Sequence, residues 1–322
     1  MKVALTGGTG FVGRHLTRKL LERGHKVVLL ARGKNPGKDE FAGNDKVTFV
    51  AASLAQGPEM VRAIQGCEAI YHLAGINREK GDQTYATVHM EGTRNLMSVV
   101  RQAKIRRIIH VSFLRAQPKV GCPYHVSKWN SEESVRNSGL DYTIFRPGVL
   151  YGEGDQFLSH LEKALKTMPF FGLVGHEPQP LAPLHIDDFT RVLAATLERE
   201  DTYGKTFAMV GPDTLTLSEI VEKVGKQVKI KPNIFPVPLL FHRVAAGAME
   251  LLMDNPLVTN AQITMLSEDL SVPGLPCDPL PLEFRAQTPF LGEKEKVDEV
   301  ERDLTKIAEK RGVELTEEDI EV

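Results

Sequence analysis

The chain has 322 residues, 42% of them hydrophobic, and a formal charge of −2. That length suits two domains or one large α/β domain with additions, and its interior is large enough to need no metal or disulfide staple. A near-neutral balance argues against a dedicated nucleic-acid binder, which would carry a basic excess.

In chain order, residues 3–5 read as a short apolar strand. Residues 11–22 read as a helix with Val12, Leu16, Leu20 and Leu21 on one side. Arg14, Arg18, Lys19, Glu22 and Arg23 follow the strand too closely for a secretory leader. Residues 27–31, 47–50 and 69–73 are further apolar strands. A long helix is predicted over 83–103, a strand over 107–112, a helix over 124–136 and a strand over 142–145. Such alternation, with continuously apolar strands, indicates an α/β fold: a doubly wound parallel sheet of Rossmann type, covered on both faces.

After Tyr151 prolines become frequent (Pro169, Pro178, Pro180, Pro183), and helices are predicted over 188–198 and 218–226. Residues 1–150 are therefore assigned to one Rossmann-type domain. Residues 151–292 are assigned to a smaller C-terminal region, partly interleaved with the sheet. Residues 293–322 form a charged tail, in which Val297, Val300, Leu304 and Ile307 recur at helical spacing. Residues 234–253 are apolar, but Arg243 and Glu250 within them oppose a membrane span. A buried helix of the second region is expected there, with a membrane-surface contact as the alternative.

The sequence Thr6-Gly7-Gly8-Thr9-Gly10-Phe11-Val12-Gly13 joins the first strand to the first helix. Gly7 permits a tight turn, Gly10 lets the backbone approach a pyrophosphate, and Gly13 lets the helix pack close to the strand. The helix start, with Thr9, Phe11 and Val12, offers unpaired N–H groups to phosphate. A purely structural turn is the alternative, but the flanking strand, helix and second strand supply the context that a dinucleotide site requires. An NAD-specific site has a carboxylate at the end of the second strand; here Ala31-Arg32 stands there, followed by Lys34. A guanidinium suits a 2′-phosphate, so NADP(H) is favoured over NAD(H), which stays open. Read otherwise, Arg32 is a solvated loop cation.

Tyr124 and Lys128 are four residues apart on a predicted helix and share a face. A neighbouring cation favours phenolate, so the tyrosine pKa is expected to be lowered, suiting proton exchange with a carbonyl or alcohol while hydride moves at a nicotinamide.

The glycine turn, Leu73-Ala74-Gly75, Tyr124/Lys128 and Arg146-Pro147-Gly148-Val149-Leu150-Tyr151-Gly152 together resemble the extended short-chain dehydrogenase/reductases, the NAD-dependent epimerase/dehydratase superfamily. Tyr124-His-Val-Ser-Lys128-Trp129 and Leu184-His-Ile-Asp-Asp188 are similar to the atypical branch containing the nucleotide-binding accessory subunit of respiratory complex I. The resemblance covers residues 1–200 well and the rest loosely. It implies Tyr124 as general acid/base and Lys128 as the holder of the nicotinamide ribose. It implies Gly7, Gly10 and Gly13 at the pyrophosphate, and Leu73, Ala74 and Gly75 near the adenine ribose. It further implies a hydroxyl near residue 112 to polarise a carbonyl, which Ser112 supplies, and pairing into a homodimer through the helices around the tyrosine motif.

Three positions depart from the family pattern: Phe113 where a second hydroxyl is common, His89 where an asparagine is frequent, and Ser53 where an acidic residue often meets the adenine. They leave cofactor binding better supported than turnover.

Other residues have plainer readings. Asp187 or Asp188 is expected as a helix N-cap, with His185 a strand-end residue. Cys122 is expected to be a small half-buried residue. The cysteines Cys67, Cys122 and Cys277 show no ligand spacing, which suits a reduced, cytoplasmic setting. No G-x-S-x-G elbow supports a hydrolase.

Two functions follow. The first is an NADP(H)-dependent oxidoreductase or epimerase-like enzyme acting on a small carbonyl, sugar-nucleotide or quinone-related substrate. The second is a non-catalytic NADPH-binding accessory or assembly protein of a respiratory or other membrane complex, peripheral to the membrane.

Overall fold

The computed structural model describes residues 1–32, 40–55, 57–118, 121–167, 170–174, 179–252 and 260–291. The predicted tail helix beyond residue 292, and Lys34, lie outside the described residues.

The first half runs β1 (Lys2–Thr6), α1 (Phe11–Glu22), β2 (Lys26–Ala31), β3 (Val47–Ala51), α2 (Gly57–Ile64) and β4 (Ala69–His72). A π-helical turn (Ala86–Glu91) then leads into α3 (Gly92–Gln102), β5 (Arg107–Val111), α4 (Pro123–Arg136) and β6 (Asp141–Pro147). The second half holds β7 (Leu150–Tyr151), α5 (Phe157–Thr167), β8 (Phe170–Val174), β9 (Pro180–Leu181), β10 (Leu184–His185) and α6 (Ile186–Ala195). It continues through β11 (Lys205–Met209), β12 (Leu215–Thr216), α7 (Leu217–Gln227), β13 (Asn233–Val237), α8 (Leu239–Leu252) and α9 (Asn260–Leu266).

Seven strands form one parallel sheet in the order β11-β6-β5-β4-β1-β2-β3, so the expected doubly wound fold is present. Its seventh strand comes from residues 205–209, so chain beyond residue 150 completes the sheet edge. The period-two alternation of strand side chains separates two cores. Val3 and Leu5 pack with Leu16 and Leu20 of α1 and with Phe189, Val192 and Leu193 of α6. Ala4, Val28 and Ile70 face the other way, onto Met60 and Ile64 of α2 and Leu96 and Val100 of α3. A third cluster gathers Tyr85, Phe113, Tyr124 and Tyr151 with residues of α5 and α7.

The structure departs from the sequence reading at three elements. The helix predicted over 83–103 is interrupted: the Gly92 N–H reaches back five residues to the Thr87 carbonyl, and a Cβ on Gly92 would lie 2.8 Å from the Leu54 side chain. At α6 the cap is neither aspartate. His185 Nδ1 accepts the Asp187 N–H at 3.2 Å, because the helix starts earlier than expected. Asp188 instead accepts the N–H groups of Gln287 (2.9 Å) and Thr288 (2.8 Å), clamping the returning C-terminal segment. Residues 234–253 divide into β13 and α8. Ala246 is buried, but Leu240, Phe241 and Val244 are exposed, so the expected buried helix holds on one side only. No helix among the described residues is long and apolar enough to cross a membrane.

Candidate active site

β1 and β4 are neighbours in the sheet, and the chain turns in opposite directions from them, to α1 and β2 on one side and to β5 on the other. The crevice outside their carboxyl ends is the switch point, where open α/β sheets bind ligands. Gly7 leaves β1 with φ +72°, and a Cβ there would stand 2.9 Å from the Ala74 nitrogen. Gly10 N–H donates to the Gly7 carbonyl at 3.0 Å, closing the turn. A Cβ on Gly13 would collide with the Gly7 carbonyl and lie 2.5 Å from Gly8 Cα, so α1 approaches the turn as closely as backbone allows. Gly10 caps α1 with no side-chain bond, which leaves the first N–H groups of the helix to a ligand. Thr9, Phe11 and Val12 are half-buried around that end. This cradle, which side chains would fill, fits a dinucleotide pyrophosphate.

Arg32 is exposed just past β2 and makes no ion pair with any described residue. Leu73, Ala74 and Gly75 continue β4 beside the glycine turn, with Leu73 N–H donating to the Thr6 carbonyl at 3.2 Å. A Cβ on Gly75 would meet His89 Nε2 at 3.2 Å and Lys128 Nζ at 3.8 Å. Gly75 therefore brings the loop after β4 up to the lysine.

Lys128 Nζ donates to the Val111 carbonyl at 2.9 Å. Burial lowers its pKa to about 8, against the opposing pull of Glu132. Tyr124 lies in an aromatic collar. Phe113 is 5.2 Å away edge-on, Tyr85 5.5 Å and His89 5.7 Å between ring centroids. Burial, with Tyr85 and Cys122 adding to it, pushes the phenol well above its ordinary value. This reverses the lowering expected from Lys128: the two residues share a helix face, but the collar desolvates the ring, and burial outweighs any pull of the amine. Ser112 Oγ is buried and has no hydrogen-bond partner among the described residues. Such an orphan hydroxyl is costly unless a ligand completes it. Cys122 is fully buried, and its thiol is raised by burial.

A buried polar network beneath these residues has no counterpart in the sequence reading. Thr6 Oγ1 meets His72 Nδ1 at 2.8 Å, and His72 Nε2 meets Thr93 Oγ1 at 2.9 Å. Thr93 Oγ1 lies 2.8 Å from Ser131, which is 3.1 Å from His110 Nε2. His89 Nε2 accepts the Ile76 N–H at 3.0 Å, so Nδ1 carries the proton and donates to Ser127 Oγ at 2.8 Å. Ser127 in turn donates to the Tyr124 carbonyl at 2.8 Å. His89, one of the departures from the family pattern, thus ties the loop after β4 to the turn of α4 that carries Tyr124. A second anchor lies one turn after Lys128. Glu132 accepts Arg146 Nε at 2.9 Å and Nη2 at 2.7 Å, with both side chains buried. In the sequence Arg146 stands only as the first residue of the family-like run Arg146–Gly152, with nothing to point to Glu132 as its partner.

Residues 7–167 match a family model described as NAD(P)H-binding. The chain is 25% identical to the 40 kDa subunit of mitochondrial NADH-ubiquinone oxidoreductase from Neurospora crassa, over 80% of this chain and 68% of that one. It is 27% identical to a ceramide reductase from Caulobacter vibrioides, over 73% of each chain. Among solved structures, a nucleoside-diphosphate-sugar epimerase from Staphylococcus aureus shares the fold with a TM-score of 0.68, at 17% identity, covering 89% of this chain and 98% of that one.

Proposed function

Because this chain belongs to the NAD(P)H-binding family, we propose that it is an NADP(H)-dependent oxidoreductase that reduces a carbonyl at the switch point of its sheet. The observation that carries this reading is the convergence on one crevice of the side-chain-free cradle at Gly7–Gly13, the Lys128 amine beside Gly75, and the orphan Ser112 hydroxyl. A nicotinamide bound there supplies or accepts hydride. Ser112 donates its unclaimed O–H to the substrate oxygen. Tyr124, kept neutral by burial, is in the form that gives a proton to that oxygen as it becomes an alcohol. Lys128 holds the ribose hydroxyls and sets the local positive charge. Gly7, Thr9, Gly10, Phe11, Val12 and Gly13 hold the pyrophosphate, and Leu73, Ala74 and Gly75 flank the adenine ribose. Arg32, exposed and without an ion-pair partner among the described residues, meets the 2′-phosphate and favours NADP(H).

The second reading, a cofactor-holding accessory protein of a membrane complex, is favoured by a different observation. The phenol is raised by burial and its aromatic collar narrows access, and one relative is a respiratory-complex subunit. One experiment separates the two. Purified protein is titrated with NADPH and NADH, then assayed for NADPH oxidation across aldehydes, ketones, nucleotide sugars and quinones. Turnover that Tyr124→Phe abolishes while cofactor affinity is kept supports the enzyme. Tight NADPH binding with no turnover, and recovery of the protein in a larger assembly, supports the accessory role.

A further inference from the structure

Eight large hydrophobic side chains stand out as exposed among the described residues, and five of them lie in one region: Phe170, Phe235, Leu240, Phe241 and Val244. β8 and β13 form a two-stranded parallel ribbon in which Asn233 pairs with Phe170 and Phe235 with Gly172. Paired residues point to the same side, so Phe170 and Phe235 share the outer face. Phe171, Leu173 and Ile234 alternate onto the inner face and pack against the cluster that holds Tyr124 and Phe113.

α8 lies on the same outer side. A Cβ on Gly172 would reach Val237 at 2.9 Å and His242 at 3.8 Å, and His242 Nε2 bonds the Leu173 carbonyl at 3.1 Å. At about 100° per residue, the docked His242 and buried Ala246 lie on one side of α8. Leu240, Val244 and Phe241 then span the opposite arc, with exposures of 70%, 64% and 66%. Arg243 falls at the edge of that arc.

The chain around this face has a cationic excess. Residues 162–174 and 228–250 hold Lys163, Lys166, Lys229, Lys231 and Arg243, all exposed, against Glu162 and Glu250, and Lys166 pairs with Glu162 at 3.2 Å. Exposed phenylalanine and leucine flanked by cations, with almost no polar side chain to read a specific partner, match an anionic lipid surface better than a protein surface.

We propose that the outer face of the β8–β13 ribbon and α8 docks on the headgroup region of an anionic lipid bilayer, without crossing it. Docking sets the reverse side of the wall around Tyr124 against the membrane. The inference stands whether or not Tyr124 turns over a substrate.

Flotation of the full chain with vesicles of phosphatidylcholine alone or mixed with phosphatidylglycerol tests it. The protein is expected to float with the anionic vesicles, less at high salt, and poorly with the neutral ones. The double variant Leu240→Asp, Phe241→Asp is expected to bind at least tenfold more weakly while keeping its NADPH affinity. Phe241→Trp, which keeps the face apolar, is expected to give a blue-shifted emission quenched by brominated lipid. No flotation by the unaltered chain, equal flotation by the aspartate variant, or an unshifted tryptophan overturns the proposal. A dimer that the aspartate variant converts to monomer also overturns it, by assigning the face to a second copy of the chain.

Discussion

Burial moves Tyr124 and Lys128 in opposite directions: the phenol is raised and the amine lowered to about 8. Both shifts favour the neutral form, as desolvation must. A neutral phenol is a competent acid across the neutral range, which suits the proposed carbonyl reduction. Tyr124→Phe is expected to lower kcat for reduction by about 10²–10⁴, the range for losing a positioned acid, with NADPH affinity unchanged. The lysine sets the alkaline limit. Its charge is present below pH 8 and lost above, so kcat/KM for reduction is expected to fall as pH rises through about 8. A profile flat to pH 10 would show that the charge is not used. Arg32 can be tested apart from both. A hydrogen bond to a charged group contributes roughly 1.5–3 kcal/mol, so Arg32→Ala is expected to weaken NADPH binding by about tenfold or more and leave NADH binding alone. Equal loss for both cofactors would place Arg32 away from the 2′-phosphate.

At the scale of elements, α4 carries both Tyr124 and Lys128, and its placement rests on a buried ion pair. Glu132 is fully buried, and it accepts Arg146 from β6 through two bonds and Arg136 from α4 at 2.6 Å. Removing one partner of such a group strands the other charge, at a cost of about 3–5 kcal/mol. Glu132→Gln is expected to lower stability by that order, read as a lower denaturant midpoint at unchanged m-value. A loss under 1 kcal/mol would show that the arginines find other partners. Elements differ in how far sequence reveals them. β1, α1 and β2 were legible because their signals are local: apolar runs, helical spacing, and glycines where a Cβ would strike Ala74 or Gly8. The interrupted helix at residues 86–91 was not, and the close approach of Leu54 to Gly92 beside it joins residues 38 apart in sequence. His89 was noticed only as a departure, because its partner Ser127 lies 38 residues away. The direction of the Tyr124 shift was misjudged for the same reason. The lysine is visible at fixed spacing, whereas Tyr85 and Phe113 reach the ring only through the fold.

At the scale of the whole molecule, the buried histidines set a limit on stability in acid. His72, His89, His110 and His125 are all at most 2% exposed. Burial, with neighbouring cations including Lys128 and Arg115, lowers His72 to about 3, His89 to about 2 and His125 to about 4, and His110 well below its ordinary value. In the unfolded chain each takes a proton near pH 6.5. Between 6.5 and the folded values the unfolded state therefore binds more protons, and stability falls as pH falls. From pH 7 to pH 5 each histidine removes roughly 2 kcal/mol by this linkage. The four together are comparable with the whole stability of a typical domain, about 5–15 kcal/mol. Carboxylates such as Asp188, held low despite burial by the Thr288 and Gln287 N–H groups, add their loss only further down, below about pH 4. The protein is therefore expected to unfold on acidification near pH 5, before its carboxylates titrate, with uptake of about four protons in the transition. Guanidinium midpoints measured from pH 7.5 to 4.5, with proton uptake from the slope, check this. A midpoint that holds steady down to pH 4.5 would mean that the network around Thr93 and Ser131 accepts protons in place, and that the histidines of the folded protein are not held neutral.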